Sequence, residues 1–284
     1  MNELAKRVLF ALVGAPLTIA IIYFGGWILA TALGVIAALG AWELYRMSGA
    51  AGNEPLETVG IVIAACVPLM VHATYLGVFR VTVTVAVMIF LALTAGVIWA
   101  RGTARKPLVS LALTAAGIIY PSLVTYMYPI RYHDYVVDAG AGTALLMLPI
   151  ALTWATDTGA YFFGRTFGRH KLIPSVSPAK TVEGAVGGVI VAIAAAWLYV
   201  LLILRPVAQL SMLPVTLTLF AILISCVAQV GDLAESLFKR DAGVKDSSRL
   251  LPGHGGILDR FDSLLFVLPA AYVLLGYFLK AAPG

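Results

Sequence analysis

Side chains suited to charged ligands crowd into the C-terminal half of the chain. The densest stretch is Pro252-Gly253-His254-Gly255-Gly256, followed by Asp259 and Asp262. Three glycines let the backbone approach a ligand closely, and successive N–H groups in such a turn form a concavity for anions. Asp259 and Asp262 stand about one helical turn apart, where two carboxylates can hold a hard divalent cation through oxygen. His254 has no second histidine nearby, so it suits a hydrogen-bond donor better than a metal ligand. Lys245 and Arg249 add positive charge to the same connection.

Just upstream, in QVGDLAESLFKRD, Asp232, Glu235, Ser236 and Lys239 fall at i, i+3, i+4 and i+7, one face of a helix. Carboxylates there, followed by Lys239 and Arg240, would bind a cation on one side and phosphates on the other. A snorkelling amphipathic helix end would use similar letters. In HKLIPSVSPAKTVEG, from His170 to Gly184, Pro174 and Pro178 prevent a continuous helix. Ser177, Lys180 and Thr181 then precede a new apolar run, where free N–H groups at a helix start favour an anion. The same residues also make ordinary caps. Asp157 lies inside the apolar stretch LTWATDTGAYFFG, with Tyr161 and Gly164 on its face. A carboxylate at a span's centre costs about 2.5–3.5 kcal/mol, so it calls for a polar cavity or a partner.

The elements that must position these groups follow from composition. Hydrophobic residues make up 61% of the 284 and charged residues 12%, against about 45–50% and about 25% in soluble domains. This excludes disorder, a coiled coil and a nucleic-acid-binding domain, despite a formal charge of +5. Cys66 and Cys226 each sit in an apolar run and make neither a disulfide framework nor a zinc spacing. A bilayer core of about 30 Å takes about 20 apolar residues per helix. Nine spans are expected, at 8–24, 27–42, 58–78, 81–100, 108–128, 145–164, 184–204, 213–237 and 261–280, in an all-α polytopic membrane protein. The first is longer than a signal-peptide core and reads as a retained span. Gly25-Gly26 separates the first two spans, which suggests a tight helical hairpin.

With nine spans and the N-terminus in the cytosol, fifteen of the 19 Lys and Arg residues fall on the inner side. Such an excess sets orientation. Eight of the 14 acidic residues lie between 157 and 262. Residues 1–140 therefore read as scaffold, Glu43 and Arg46 included near a helix end, and 141–284 as the catalytic half. The charged groups describe a cytosol-facing site at lipid-headgroup depth, with acids for a metal and bases for phosphate. Mg²⁺ is the natural ion, because it needs few protein carboxylates and bridges substrate phosphates. A nucleoside triphosphate and a phospholipid would satisfy every part.

The segment SLFKRDAGVKDSSRLLPGHGGILDRFD, Ser236 to Asp262, resembles the signature of the phosphatidate cytidylyltransferases (CDP-diacylglycerol synthases). The matching positions are Ser236, Lys239-Arg240, Lys245-Asp246, Pro252, His254-Gly255-Gly256, Asp259-Arg260 and Asp262. Asp157 to Gly188 is also similar, through Ser177-Pro178, Lys180-Thr181 and Glu183-Gly184. Ser175 departs from the basic residue common there, and residues 1–140 match only as apolar spans. The resemblance implies CMP transfer from CTP to phosphatidate, with pyrophosphate released, by in-line attack at the α-phosphorus in a membrane enzyme of dimeric habit. It implies Asp232, Lys239 and Asp259 as catalytic groups, and Asp232 and Asp259 as metal ligands supported by Asp262 and Asp157. Ser177, Lys180, Thr181, Glu183, Ser236, Arg240, Lys245, His254, Gly255, Gly256 and Arg260 would bind substrate. Mg²⁺ would be the cofactor, with a second, monovalent cation left open. Two rivals stay on the table: a CTP-dependent polyprenol-type lipid kinase, which would release CDP, and a transporter, whose polar groups should spread toward mid-membrane.

Overall fold

The structure is a computed structural model, and it describes residues 3–103, 105–250 and 255–281, with side chains in the first helix from Gly14 onward. His254, Pro252 and Gly253 lie outside the described residues. Among the described residues nine helices form: α1 Glu3–Phe24, α2 Gly26–Ala50, α3 Glu57–Tyr75, α4 Val83–Arg101, α5 Pro107–Arg131, α6 Ala139–Phe167, α7 Val182–Ala208, α8 Pro214–Asp241 and α9 Leu258–Phe278. Eight of them, α2 to α9, are long and apolar enough to cross a bilayer, and the described part of α1, Gly14–Phe24, is a shorter apolar helix. Large apolar side chains such as Val83, Trp99 and Tyr277 are left exposed on these helices, as expected where the surroundings are hydrocarbon. This is a multi-pass membrane protein. Gly25 alone separates α1 from α2, with positive φ at Gly25 and Gly26.

The expected helices are present, but several run further. α2 continues through Glu43 and Arg46 to Ala50, and α6 begins at Ala139, where Asp138 caps it by accepting from the Ala141 N–H at 2.7 Å. The proline-broken stretch between α6 and α7 is an antiparallel hairpin, β1 Lys171–Ile173 with β2 Ser177–Thr181, and Lys171 opposes Thr181. A second short ribbon pairs β3 Leu210–Met212 with β4 Leu279–Ala281.

The chain forms two compact units that interleave along the sequence. The first holds Met1–Pro16, Gly25–Tyr128 and Lys239–Arg260. α2 is its core: Leu29, Ala30, Leu33, Ala37, Ala41 and Tyr45 are all buried, at helical spacing. The Tyr45 hydroxyl donates to the Thr114 carbonyl at 2.8 Å. Its ring occupies the space a side chain would take at Gly60 and Gly117, so these glycines seat it between α3 and α5.

The second unit holds Leu17–Phe24, Pro129–Phe238 and Phe261–Gly284. α6 and α7 pack closely because each offers glycine. A Cβ at Gly184 would lie 2.8 Å from the Ala160 carbonyl, and one at Gly188 would lie 2.9 Å from that of Thr156. Gly159 and Gly187 meet Val191 and Phe163 just as tightly. Small residues are how membrane helices gain contact where burial from water supplies no drive. Arg131, read from sequence as one of the few outer-side cations, is only 4% exposed. Its guanidinium donates to the Ile22 and Tyr23 carbonyls at 3.0 and 3.1 Å, capping the end of α1.

Candidate functional site

In the second unit a cavity of about 410 Å³ opens beside the α6–α7 crossing. Asp157, Tyr161 and Arg165 reach it from α6, Lys180 and Thr181 from β2, and Gln229 and Asp232 from α8. The hairpin brings Lys180 back over the end of α6, and its base is fastened by Glu183. That carboxylate accepts from the Arg169 N–H at 3.0 Å and contacts His170 Nδ1 at 2.6 Å. Thr181 caps α7 by accepting from the Gly184 N–H at 3.1 Å. Gln229 donates to the Ala185 carbonyl at 3.2 Å and locks α8 against α7 one turn before Asp232. The result is a Lys180 Nζ–Asp232 Oδ2 ion pair at 2.7 Å, half-buried on both sides. Arg165 donates to the Tyr161 hydroxyl at 2.8 Å.

Asp157, Lys180, Thr181 and Asp232 thus line one cavity. Ser177 belongs to β2 and Glu183 to the first turn of α7, and neither lines the cavity. Ser236 stands 3.5 Å from Asp232 Oδ1. Glu235, on the same expected face, is fully buried, whereas Asp232 keeps partial access. Asp262 accepts from the Ser263 N–H at 2.6 Å. Its backbone carbonyl lies where a side chain at Gly231 would go, so α8 and α9 cross one residue from Asp232.

The first unit carries a second polar cluster built on the signature segment. Lys239 Nζ pairs with Asp259 Oδ1 at 2.6 Å. Asp259 Oδ2 also accepts from the Ser247 N–H at 2.9 Å, the Ser247 hydroxyl at 2.8 Å and the Gly256 N–H at 2.8 Å. Beneath them lies Glu43, with no solvent exposure. It accepts from the Ser248 hydroxyl at 2.6 Å and from the Ile257 and Leu258 N–H groups, both at 2.8 Å. Its Oε2 also lies 3.0 Å from the Ser247 hydroxyl. Ser247 has one proton and stands between two carboxylates, so it donates to one at a time.

This arrangement changes the reading of the glycine turn. Of the turn's N–H groups, expected to cradle a phosphate, that of Gly256 is directed at the chain's own Asp259, and those of Ile257 and Leu258, which follow it, at Glu43. Gly255 takes φ +79°, and a Cβ at Gly256 would fall within 2.4 Å of Glu43 Oε1. The glycines leave room for that clamp. Arg240 donates to the Val244 carbonyl at 3.4 Å, and Arg240, Lys245 and Arg260 are exposed.

Glu43, Ser247 and Ser248 were missed as site residues. An acid between Trp42 and Leu44 in an apolar run was the available signal, but its partners lie more than 200 residues away. Among the described residues no group of three or more His, Cys, Asp or Glu side chains forms a metal cage. The donors that line the second unit's cavity, Asp157 and Asp232, still fit Mg²⁺, which takes one or two carboxylates and completes its shell with water and substrate phosphate.

This multi-pass membrane protein gathers acids, ammonium and guanidinium groups around a cavity in one unit and into a clamp in the other. The chain belongs to the cytidylyltransferase family, whose profile matches residues 5–278. It is 35% identical to the phosphatidate cytidylyltransferase of Haemophilus influenzae, over 94% of this chain and 96% of that protein. It is 43% identical to the Bacillus subtilis phosphatidate cytidylyltransferase over 58% of each chain. It is 50% identical to a Staphylococcus epidermidis protein of that name, over 47% of this chain and 50% of that one. The match thus spans about half the length of the latter two relatives.

Proposed function

We propose that the chain is a phosphatidate cytidylyltransferase, converting CTP and phosphatidate to CDP-diacylglycerol and pyrophosphate. The observation that carries the reading is the Lys180–Asp232 pair in a cavity shared with Asp157 and Arg165, in a chain similar over 94% of its length to an enzyme of that name. An oxygen of the phosphatidate phosphate bonds to the α-phosphorus of CTP as the bond to the β-phosphate's bridging oxygen breaks, and pyrophosphate leaves. The attacking oxygen is already anionic, so no strong general base is needed. The protein's task is positioning and charge neutralisation.

In this reading Lys180 and Arg165 face the nucleotide's phosphates, and Thr181 offers its hydroxyl beside them. Asp232 and Asp157 would hold Mg²⁺, with Asp262 at the helix crossing behind. The ion supplies charge neutralisation on the phosphates when bound. Asp259 already accepts from Lys239 and two N–H groups and shares the Ser247 hydroxyl with Glu43, so it would have to release Lys239 to take a cation. Its nearer role is to fix the Lys239 ammonium. Residues 1–140 act as scaffold in this scheme, with Glu43 as the scaffold residue that anchors the signature loop. The reading further places the protein in the inner membrane with the N-terminus and reaction site on the cytosolic side, on the distribution of Lys and Arg. The dimer belongs to the same reading.

The test incubates purified full-length protein with CTP, phosphatidate and Mg²⁺. Pyrophosphate and CDP-diacylglycerol should appear in equal amounts, and Asp232→Asn should lose both. Release of CDP with a newly phosphorylated lipid would replace this reading with a lipid kinase, and no CTP consumption would end it.

A further inference from the structure

A second cavity, of about 710 Å³, opens in the first unit between the end of α2 and the connection after α8. Its walls set Arg46, Lys245 and Arg249 beside Trp42, Met47 and Leu250. The Arg46 guanidinium stacks over Trp42 at 5.0 Å, a contact that orients the group and leaves its N–H edge available. The backbone carrying the other two cations is pinned, because Ser247 and Ser248, which lie between them in sequence, are bonded to buried Glu43. Asp246 is the one acid among these lining groups, so the rim carries net positive charge. A basic rim that meets an apolar wall fits an amphiphile with a small, doubly ionisable anionic end.

We infer that this cavity binds the phosphomonoester headgroup of a membrane lipid. Arg46 and Arg249 take the phosphate oxygens, and Trp42, Met47 and Leu250 lie along the first carbons of the tail. Ser247 lines the cavity and also contacts Asp259 at 2.8 Å, so a phosphate held here is one side chain away from the Lys239–Asp259 pair. The identity of the lipid as phosphatidate rests on the function proposed above.

The experiment compares full-length wild type with R46Q, R249Q and the double variant. It measures calorimetric binding of short-chain phosphatidate in detergent, and the KM values for phosphatidate and CTP in mixed micelles. Both arginines are exposed, so the variants should melt as wild type does, and R46K/R249K serves as the charge-retaining control. Phosphatidate affinity should fall roughly fivefold per guanidinium and about 25-fold in the double variant, the scale of one interfacial basic residue's attraction for anionic lipid. The KM for CTP should stay within twofold. Short-chain phosphatidylglycerol, a phosphodiester, should bind more weakly and lose less on substitution, and glycerol 3-phosphate should bind weakly for lack of a tail. Equal binding of glycerol 3-phosphate would overturn the lipid assignment. Unchanged phosphatidate binding in the double variant of a protein that turns over would overturn the site while leaving the activity intact. A wild type that binds phosphatidate through these arginines yet makes no CDP-diacylglycerol would sink the activity and uphold the site.

Discussion

Replacing Glu43 by glutamine should free the signature loop from the helix that anchors it. The substitution keeps shape and volume but turns one oxygen into an NH₂ group. In the native arrangement Oε1 accepts from Ser248 and the Ile257 N–H, and Oε2 from the Leu258 N–H with Ser247 close by. Whichever way the amide turns, one backbone N–H then faces a donor, and Leu258 is 1% exposed, so no bulk water replaces the lost acceptor. Hydrogen bonds to a charged group are worth about 1.5–3 kcal/mol each, and a buried donor left unpaired costs about 1–3 kcal/mol. Two altered contacts therefore remove about 3–5 kcal/mol of local stability. At about 1.36 kcal/mol per factor of ten, amide protection at Ile257 and Leu258 should fall by at least about 100-fold. Hydrogen exchange read by mass spectrometry on the purified protein checks this directly, with peptides from α6 and α7 as internal controls. CDP-diacylglycerol formation should fall in step, because the Lys239–Asp259 pair is held by the same loop. Unchanged exchange at 257–258 with activity within threefold of wild type would refute the reasoning.

Three further outcomes are expected. Lys180→Met removes the ammonium beside Asp232 and should lower kcat/KM for CTP by at least about 100-fold, the scale of one lost charge-stabilising contact, with Lys180→Arg recovering part of it. Gly188→Leu forces a side chain toward a carbonyl that would lie 2.9 Å from its Cβ; separating α6 from α7 should cost more than about 2 kcal/mol, seen as a lower melting temperature in detergent. Chelation with EDTA should abolish turnover and added Mg²⁺ should restore it, whereas the melting temperature should barely move, because Asp157 and Asp232 at the cavity would leave most of the ion's shell to water and phosphate.

The apolar spans were legible because a bilayer imposes one requirement on every crossing segment, and composition records it directly. The polar residues of α6, β2 and α8 were legible for a similar reason, since Asp157 and Asp232 are costly inside apolar runs and invite a functional account. The Lys180–Asp232 pair was within reach as a pair of candidates, though its partnership depends on the hairpin fold and on Gln229. Glu43 was not legible as an anchor. The hydrogen bonds that define it join residues more than 200 positions apart, and no local periodicity reports such a contact.

The sequence alone determined the solvent this chain lives in, where its long apolar helices run and the kinds of charge it gathers, because hydrophobic run length and residue chemistry are local properties. Tertiary structure decided which charge meets which. It directed the Gly256 N–H at Asp259 and the Ile257 and Leu258 N–H groups at Glu43, and it set Arg46 of an apparent scaffold helix beside the loop that carries Lys245 and Arg249. Those pairings depend on long-range packing, through Tyr45 seated against Gly60 and Gly117 in one unit and the glycine crossing of α6 and α7 in the other.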